Sequence, residues 1–146
     1  MMPGEHKAEV YYAGDDFYVA LSPSGHAITL ETDMTRNNAP TPVELLLMAL
    51  GACTGVDVTS IMKKKRQRVT GYRIEVRGQR RDIEPRAFTN TKINHIVRGH
   101  GISENALQRA IELSLAKYCS VAATFRPAVE ITYSYDIIEE KTAFTS

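Results

Sequence analysis

One long apolar segment constrains the fold of this 146-residue chain more than any other feature, because it predicts a helix over residues 42–62. Thr41 suits the N-cap, Pro42 suits the first helical position, and Glu44 completes a capping box. Apolar or small residues dominate from Leu45 to Val58, so we expect this helix to be buried on most sides. A helix this apolar in so small a domain also suggests that a second copy of the chain covers part of it, in a homodimer.

Strands are expected on both sides of this helix. Residues 8–13, 17–22 and 26–32 are rich in β-formers and separated by turn signals, and a polar loop over residues 33–42 follows them. After the helix, the sequence predicts strands over 72–79, 91–98 and 128–138, and a second helix from Ser103 to Cys119. This order is typical of an α+β fold in which two main helices pack on an antiparallel sheet.

Composition bounds the function class. The length predicts a single domain over residues 1–146, with frayed ends at 1–5 and 139–146. A net charge of +1 gives no global attraction to nucleic acid or to an anionic membrane. The longest uncharged apolar run, Leu45–Val56, is shorter than the roughly 20 residues that span a bilayer, and the N-terminus lacks signal-peptide features. We therefore expect a cytoplasmic location, with no nucleic-acid or membrane partner.

The chain has two cysteines, Cys53 and Cys119, which are 66 positions apart. Without export, a permanent structural disulfide is not expected. The four histidines show no paired helical spacing, so no metal site is predicted, and none of them is assigned a role. Free cysteine is usually a small, inert, buried residue, and composition alone favours that interpretation over a reactive thiol.

A reactive Cys53 would need a cation beside it, because a nearby positive charge stabilises the thiolate. Cys53 lies about three turns into its helix, too far from the N-terminus for the helix dipole to help. Arg36 in the preceding loop is the best candidate cation, and Glu44 could orient it. The simpler interpretations are a capping role for Glu44 and a solvated loop charge for Arg36.

Two further features have alternative interpretations. The KKKRQR segment over residues 63–68 is most simply a solvated helix end, and a nucleic-acid patch is the alternative. Gly51 and Gly55 flank Cys53 one turn apart, and they would let a neighbouring helix or a substrate approach the sulfur closely.

Three segments resemble the OsmC/Ohr family of osmotically induced and organic-hydroperoxide-resistance proteins. They are TPVELLLMALGACTGVDV at 41–58, EPRAFTNTKINHIVRG at 84–99 and KYCSVAATF at 117–125. The resemblance covers roughly residues 5–138 and implies an OsmC-like fold. In that fold, sheets wrap around two long, buried central helices of an intertwined homodimer.

The resemblance also implies a thiol-dependent peroxidase. Cys53 would be the peroxidatic thiolate that becomes a sulfenic acid, and Cys119 the resolving thiol that condenses with it to a disulfide. An external dithiol, such as a lipoyl-type reductant, would reduce the pair, and no bound cofactor is implied. Arg36 matches the family's activating arginine only loosely. Val43 stands where characterised peroxidases of the family carry a glutamate, and Glu44 is one residue, or about 100°, further round the helix.

Three functions therefore remain in competition. The leading hypothesis is reduction of organic hydroperoxides, and more weakly of hydrogen peroxide, in oxidative-stress defence. Its substrate pocket would be formed by Leu46, Met48 and Leu50 with their dimer mates. The second is a non-peroxidase dimer that binds an apolar or thiol-containing small molecule, and the third is nucleic-acid binding through KKKRQR.

Overall fold

The structure is a computed structural model that describes residues 3–141. Contacts between Cα atoms divide the chain between Leu46 and Leu47 into two compact units. Each unit contains one three-stranded sheet, and the helices lie between the third and fourth strands and between the fifth and sixth strands in the chain. The mixed α+β architecture expected from the sequence is confirmed.

The N-terminal unit is built on an antiparallel meander. Its strands are β1 (Glu9–Gly14), β2 (Phe17–Leu21) and β3 (Ala27–Glu31), hydrogen-bonded in the order β1-β2-β3. Asp15 and Asp16 form the first turn with positive φ angles of 53° and 65°. All three strands lie within a residue or two of their predicted positions, because β-branched and aromatic runs alternate there with strong turn residues.

Helix α1 (Pro42–Lys64) begins where the capping box predicts. The Thr41 amide donates to Glu44 Oε1 at 3.0 Å, and the Glu44 amide donates to Thr41 Oγ1 at 3.2 Å. Within this chain only one face of α1 is buried, contrary to the expectation of burial on most sides. The exposed face carries small and apolar side chains, among them Met48, Ala52 and Val56.

The length and hydropathy of α1 are also those of a membrane span. An 18-residue window within Pro42–Lys64 has a mean hydropathy of 1.8, and 33% of that window is buried. Core helices of soluble proteins have the same length and composition, so this property does not assign α1 to a membrane.

The C-terminal unit contains a mixed sheet. Its strands are β4 (Arg68–Arg80), β5 (Phe88–His100) and β6 (Glu130–Glu139); β4 pairs antiparallel with β5, whereas β6 pairs parallel with it. The prediction of an antiparallel sheet is therefore wrong for β6. The chain passes through about 30 residues of mostly helical structure after β5, and a crossover of that length is what a parallel pair requires.

The segment predicted as one helix from Ser103 to Cys119 contains two helical elements, and a third follows it. Helix α2 (Glu104–Leu113) starts at the predicted Ser103 cap, whose side chain accepts a hydrogen bond from the Ala106 amide. A π-helical segment (Ser114–Tyr118) follows, and helix α3 (Ser120–Phe125) begins after Cys119. The helical conformation is interrupted at Cys119, whose backbone is extended (φ −74°, ψ 104°). Cys119 is also the N-cap of α3.

The core of the C-terminal unit comprises two hydrophobic clusters. One joins Val58 and Met62 of α1 to α2 and the β5 residue Val97. The second is built on Leu50 and Ile93 and contains the cysteines. Gly51 and Gly55 let α1 approach β4, since a Cβ at Gly51 would lie 2.9 Å from Val76 Cγ2, and one at Gly55 2.6 Å from Ile74 Cδ1. These glycines face the sheet, where the sequence predicted a helix or a substrate.

The predicted frayed ends fall partly outside the structure, because residues 1–2 and 142–146 are outside the described range. Fraying from residue 139 onward is wrong for Glu139 and Glu140. Glu139 ends β6, and its carboxylate accepts hydrogen bonds from the Gly101 amide. The Glu140 amide donates to the Gly99 carbonyl at 2.7 Å.

Candidate functional site: a cysteine pair

The fold brings Cys53 and Cys119 together in one apolar cluster. Cys119 is buried with Leu50, Ile93 and Ala122, and Cys53 packs against this group from α1. Both cysteines are free; Cys119 is only 3% exposed, whereas Cys53 is half-buried. Of the two sulfurs, that of Cys53 is therefore the more accessible to a reagent from solution.

The surroundings of Cys119 keep its thiol protonated. Burial raises the pKa of Cys119 to about 11, and the neighbouring Cys53 thiol and the Asp57 carboxylate act in the same direction. The Ala122 amide donates to Cys119 Sγ at 3.4 Å and opposes this shift without cancelling it. At neutral pH Cys119 is thus a neutral thiol beside Cys53, which suits a resolving residue better than a first nucleophile.

A polar network that the sequence analysis did not identify lies beside the cysteines. The Ser114 hydroxyl donates to Asp57 Oδ2 at 2.8 Å and lies 2.8 Å from Thr54 Oγ1. Thr54 and Ser114 are fully buried. The sequence did contain a signal for this network. Thr54 and Asp57 are polar residues three positions apart in the apolar helix α1, and Ser114 is a polar residue in the apolar stripe of the second predicted helix.

Arg36 lies among carboxylates of the N-terminal unit. Its guanidinium forms ion pairs with Asp15 (2.6 Å), Glu31 (2.7 Å) and Asp33 (3.2 Å), and stacks over the Phe17 ring at 4.8 Å. Arg36 is only 27% exposed, so the interpretation as a solvated loop charge is wrong. The activation of Cys53 by Arg36 stays a prediction.

Glu44 acts as a helix cap. Its exposed carboxylate accepts from the Thr41 amide, as the capping-box interpretation predicts. Among the ion pairs of residues 3–141, none joins Glu44 to Arg36; the carboxylates that pair with Arg36 are those of Asp15, Glu31 and Asp33. Asp33 and Glu31 precede Arg36 by three and five residues, whereas Asp15 is 21 positions away.

An open apolar groove of about 350 Å³ lies between β4 and the part of α1 that precedes Cys53 in sequence. Its lining comes from α1 and β4: Leu47, Met48, Gly51, Ala52, Ile74 and Val76. The pocket predicted from Leu46, Met48 and Leu50 is thus only partly right. Met48 lines the groove and is 57% exposed, whereas Leu50 is fully buried in the core. Leu46 is exposed.

A buried tyrosine–histidine pair is a second polar feature of this core. The Tyr72 hydroxyl lies 2.6 Å from His95 Nδ1, and the two rings are stacked. Within residues 3–141, His95 Nε2 is buried without a hydrogen-bond partner. Burial lowers the pKa of His95 to about 4 and raises the pKa of Tyr72, so both side chains are neutral at physiological pH. His95 alternates with Ile93 and Val97 on β5, and this pattern could have indicated its inward position.

The remaining charged and metal-ligating residues form no further site. In the described part of the chain, no three His, Cys, Asp or Glu side chains lie close enough to hold a metal ion. Lys63 and Lys64 end α1, Arg66 has the positive φ of 55° that follows a helix end, and Arg68 begins β4. This arrangement agrees with the interpretation of KKKRQR as a helix end.

Comparison with known proteins agrees with the resemblance found in the sequence. The sequence profile of the family described as OsmC-like protein matches residues 35–134. The chain is 40% identical over 121 residues to Protein YhfA of Escherichia coli strain K12, and the match covers 83% of this chain and 90% of YhfA.

Several solved structures have the same fold as this chain. A hypothetical protein from Aquifex aeolicus VF5 aligns with a TM-score of 0.83 and 31% identity, covering 94% of this chain and 98% of that protein. An organic hydroperoxide resistance protein from Elizabethkingia anophelis aligns with a TM-score of 0.65 over 93% of this chain and 96% of its own. The sequence identity to this second protein is 13%, so the comparison shows similarity of fold only.

Proposed function

This chain belongs to the OsmC-like protein family, and we propose that it is a thiol-dependent peroxidase that reduces organic hydroperoxides. The observation that supports the proposal most is the meeting of Cys53 and Cys119 in one cluster, although 66 positions separate them in sequence. Structural likeness to organic hydroperoxide resistance proteins points to the same redox or peroxide-related chemistry.

The reaction would use the two sulfurs in sequence. The Cys53 thiolate attacks one oxygen of the hydroperoxide, an S–O bond forms, the O–O bond breaks, and the alkoxide leaves as an alcohol after taking up a proton. Cys119 then attacks the Cys53 sulfenic acid; an S–S bond forms and the hydroxyl leaves as water, using the Cys119 proton. The greater exposure of Cys53 and the neutral, buried state of Cys119 support this division of roles.

An external dithiol would complete the cycle by reducing the Cys53–Cys119 disulfide through a mixed-disulfide intermediate. No bound cofactor is needed for these steps. A lipoyl-type dithiol and a cytoplasmic location, in oxidative-stress defence, remain part of the proposal. Arg36 is the proposed activating cation, held in orientation by Glu31 and the two aspartates.

The proposed substrate class rests on the apolar groove formed by β4 and the α1 residues that precede Cys53 in sequence. Apolar side chains such as Met48 and Val76 line it, so an alkyl or aryl hydroperoxide would bury apolar surface there, at about 25 cal/mol per Å². Hydrogen peroxide has no apolar surface to bury and would be a poorer substrate.

The exposed face of α1 supports a homodimer. Met48 and Val56 are 57% and 68% exposed, and the small residue Ala52 lies between them. A second copy of the chain that covers this face would enclose the groove and bury the apolar helix. The proposal therefore includes a homodimer, which sedimentation analysis of the purified protein tests.

A dithiol-driven peroxidase assay tests the function. Wild-type protein with dihydrolipoamide should turn over cumene hydroperoxide faster than hydrogen peroxide, and Cys53→Ser should fall to background, at least about 10³-fold lower. Cys119→Ser should consume one equivalent of hydroperoxide and then stop, because Cys53 is oxidised without being resolved. Equal and negligible turnover by wild type and Cys53→Ser would remove the proposal.

One observation favours a second candidate function, a dimer that binds an apolar or thiol-containing small molecule without peroxidase activity. Three carboxylates already surround Arg36, and Glu44 caps its own helix, so the positive charge available to activate a thiol is reduced. This candidate predicts that ligand binding in the groove survives Cys53→Ser and that mild oxidation forms no Cys53–Cys119 disulfide.

A further inference from the structure

The π-helical segment over Ser114–Tyr118 places Cys119. Its closing hydrogen bond runs from the Cys119 amide to the Ser114 carbonyl at 2.8 Å, so the backbone of residue 114 is directly bonded to that of Cys119. π-Helical turns are rare and occur frequently at functional sites. The turn also ends the helical path, which leaves Cys119 in extended conformation at the start of α3.

The side chain of Ser114 connects this turn to the helix that carries Cys53. Because a serine hydroxyl has one hydrogen, and Ser114 donates it to Asp57, the Thr54 hydroxyl must donate to Ser114 Oγ. Thr54 and Asp57 follow Cys53 on α1 by one and four residues. The hydrogen bonds therefore join the two cysteine-bearing segments where the cysteines meet.

From this geometry we propose that Thr54, Ser114 and Asp57 are positioning residues for the thiol chemistry, which hold the Cys119 segment against α1 so that the two sulfurs can form a disulfide. The inference rests on the proposed function, since it gives these residues a role in the resolution step. Burial strengthens the case: Thr54 and Ser114 are fully buried, and a buried hydroxyl left without its partner is costly.

Asp57 acts in two ways: it accepts the Ser114 hydrogen bond, and its negative charge affects the Cys119 thiol. Its carboxylate contributes to the raised pKa of the Cys119 thiol, so removal of the charge should lower that pKa. The amide of an Asp57→Asn variant can still accept the Ser114 hydrogen bond through its oxygen. This variant therefore changes the charge while it keeps the connection.

The test measures the redox equilibrium of the cysteine pair in the full-length protein. Protein is equilibrated with mixtures of reduced and oxidised glutathione, quenched by alkylation, and analysed by mass spectrometry for the Cys53–Cys119 disulfide. Oxidised glutathione accepts the two electrons and is released as two glutathione thiols, so the ratio gives an equilibrium constant. The variants are Ser114→Ala, Thr54→Val and Asp57→Asn; Ser120→Ala, an exposed neighbour of Cys119, is the matched control.

Ser114→Ala should lower the equilibrium constant for disulfide formation about tenfold, which corresponds to about 30 mV, because the sulfurs lose their fixed geometry. Thr54→Val should lower it about threefold, and Ser120→Ala should stay within about twofold of wild type. Asp57→Asn should lower it less than Ser114→Ala does, because the amide oxygen can still accept the Ser114 hydrogen bond but carries no charge. The thiol titration of Asp57→Asn should shift to lower pH, an effect that a purely structural role of Asp57 would not produce. If Ser114→Ala does not fold, Thr54→Val decides in its place.

Equal constants for Ser114→Ala and Ser120→Ala would overturn the positioning role. Failure of wild type to form the disulfide would also overturn it. A wild-type protein that forms the disulfide with glutathione but does not turn over hydroperoxide would remove only the proposed peroxidase activity. The two proposals can therefore fail separately.

Discussion

The surroundings of Arg36 in the N-terminal unit stabilise a charged side chain, whereas those of Cys119 in the C-terminal unit disfavour one. Arg36 keeps its charge, because Asp15, Glu31 and Asp33 pair with it. Cys119 and His95 remain neutral, because burial opposes their charged forms. One region is stabilised by ion pairs, and the other is stabilised by apolar packing that excludes charge.

This difference bears on the proposed chemistry. A thiolate at Cys119 is disfavoured by burial and by the Asp57 carboxylate, and the hydrogen bond from the Ala122 amide does not offset them. The proposed mechanism gives the attack on the hydroperoxide to Cys53, the more exposed of the two cysteines, and the cation proposed to assist it belongs to the N-terminal unit. Three predictions test the contrast, and they are ordered by expected effect.

The largest effect is expected from His95, which tests whether the C-terminal core excludes charge. Its folded pKa of about 4 lies below the unfolded value of about 6.5, so the unfolded chain takes up a proton that the folded chain does not. The free energy of unfolding should therefore fall as pH drops from 6.5 to 4, by about 3 kcal/mol from this residue, and be unaffected by it above 6.5.

Urea unfolding of wild type and His95→Gln at several pH values measures this contribution. The variant should lack the additional slope between pH 4 and 6.5, whatever its stability at neutral pH. Parallel curves for the two proteins across that range would mean that His95 is not held neutral by burial.

An intermediate effect is expected for the ion pairs of Arg36. Glu31 is only 1% exposed, and its carboxylate pairs with Arg36 and accepts the Asn38 amide at 2.7 Å. Glu31→Gln should therefore lower the free energy of unfolding by about 2 kcal/mol. Asp15 is 83% exposed, so Asp15→Asn should cost about 0.5 kcal/mol or less. Chemical denaturation measures both, and equal losses would contradict the distinction between buried and exposed carboxylates.

The smallest effect concerns Glu44, which tests whether that carboxylate belongs with the Arg36 group or only with the helix cap. Thr41→Ala should cost about 1 kcal/mol, because the first turn of α1 loses its cap. Glu44→Gln keeps an oxygen that can accept from the Thr41 amide and should cost less. Peroxidase turnover of Glu44→Gln should stay within about twofold of wild type; a loss of about 10²-fold would restore the catalytic interpretation.

The elements that sequence predicts well are those with local signals. The capping box of Thr41 and Glu44, the strands of the meander and the Ser103 cap all depend on residues within a few positions of one another. The parallel pairing of β6 depends on the crossover that precedes it, which no local pattern reveals. The π-helical turn was missed because the apolar stripe continues through Leu115, as it would in an α-helix.

The candidate site divides in the same way. The cysteine pair was predicted because the spacing of two motifs resembles a known family, and the fold brings the two residues together. The ion pairs of Arg36 join residues up to 21 positions apart, and the Ser114 network joins residues 57 and 60 apart. The sequence shows that Thr54, Asp57 and Ser114 are polar residues in apolar helices, but tertiary packing decides which polar residues meet.

The central claim is that Cys53 and Cys119 form one redox pair, and direct analysis of the oxidised protein tests it. Wild-type protein is treated with one equivalent of cumene hydroperoxide, alkylated without reduction, digested and analysed by mass spectrometry. The account predicts that a peptide pair linked through Cys53 and Cys119 appears, lighter by two hydrogens than its reduced parts, with one equivalent of alcohol released. A stable sulfenic or sulfinic acid at Cys53 with Cys119 still alkylatable, or no oxidation of either residue, would contradict it.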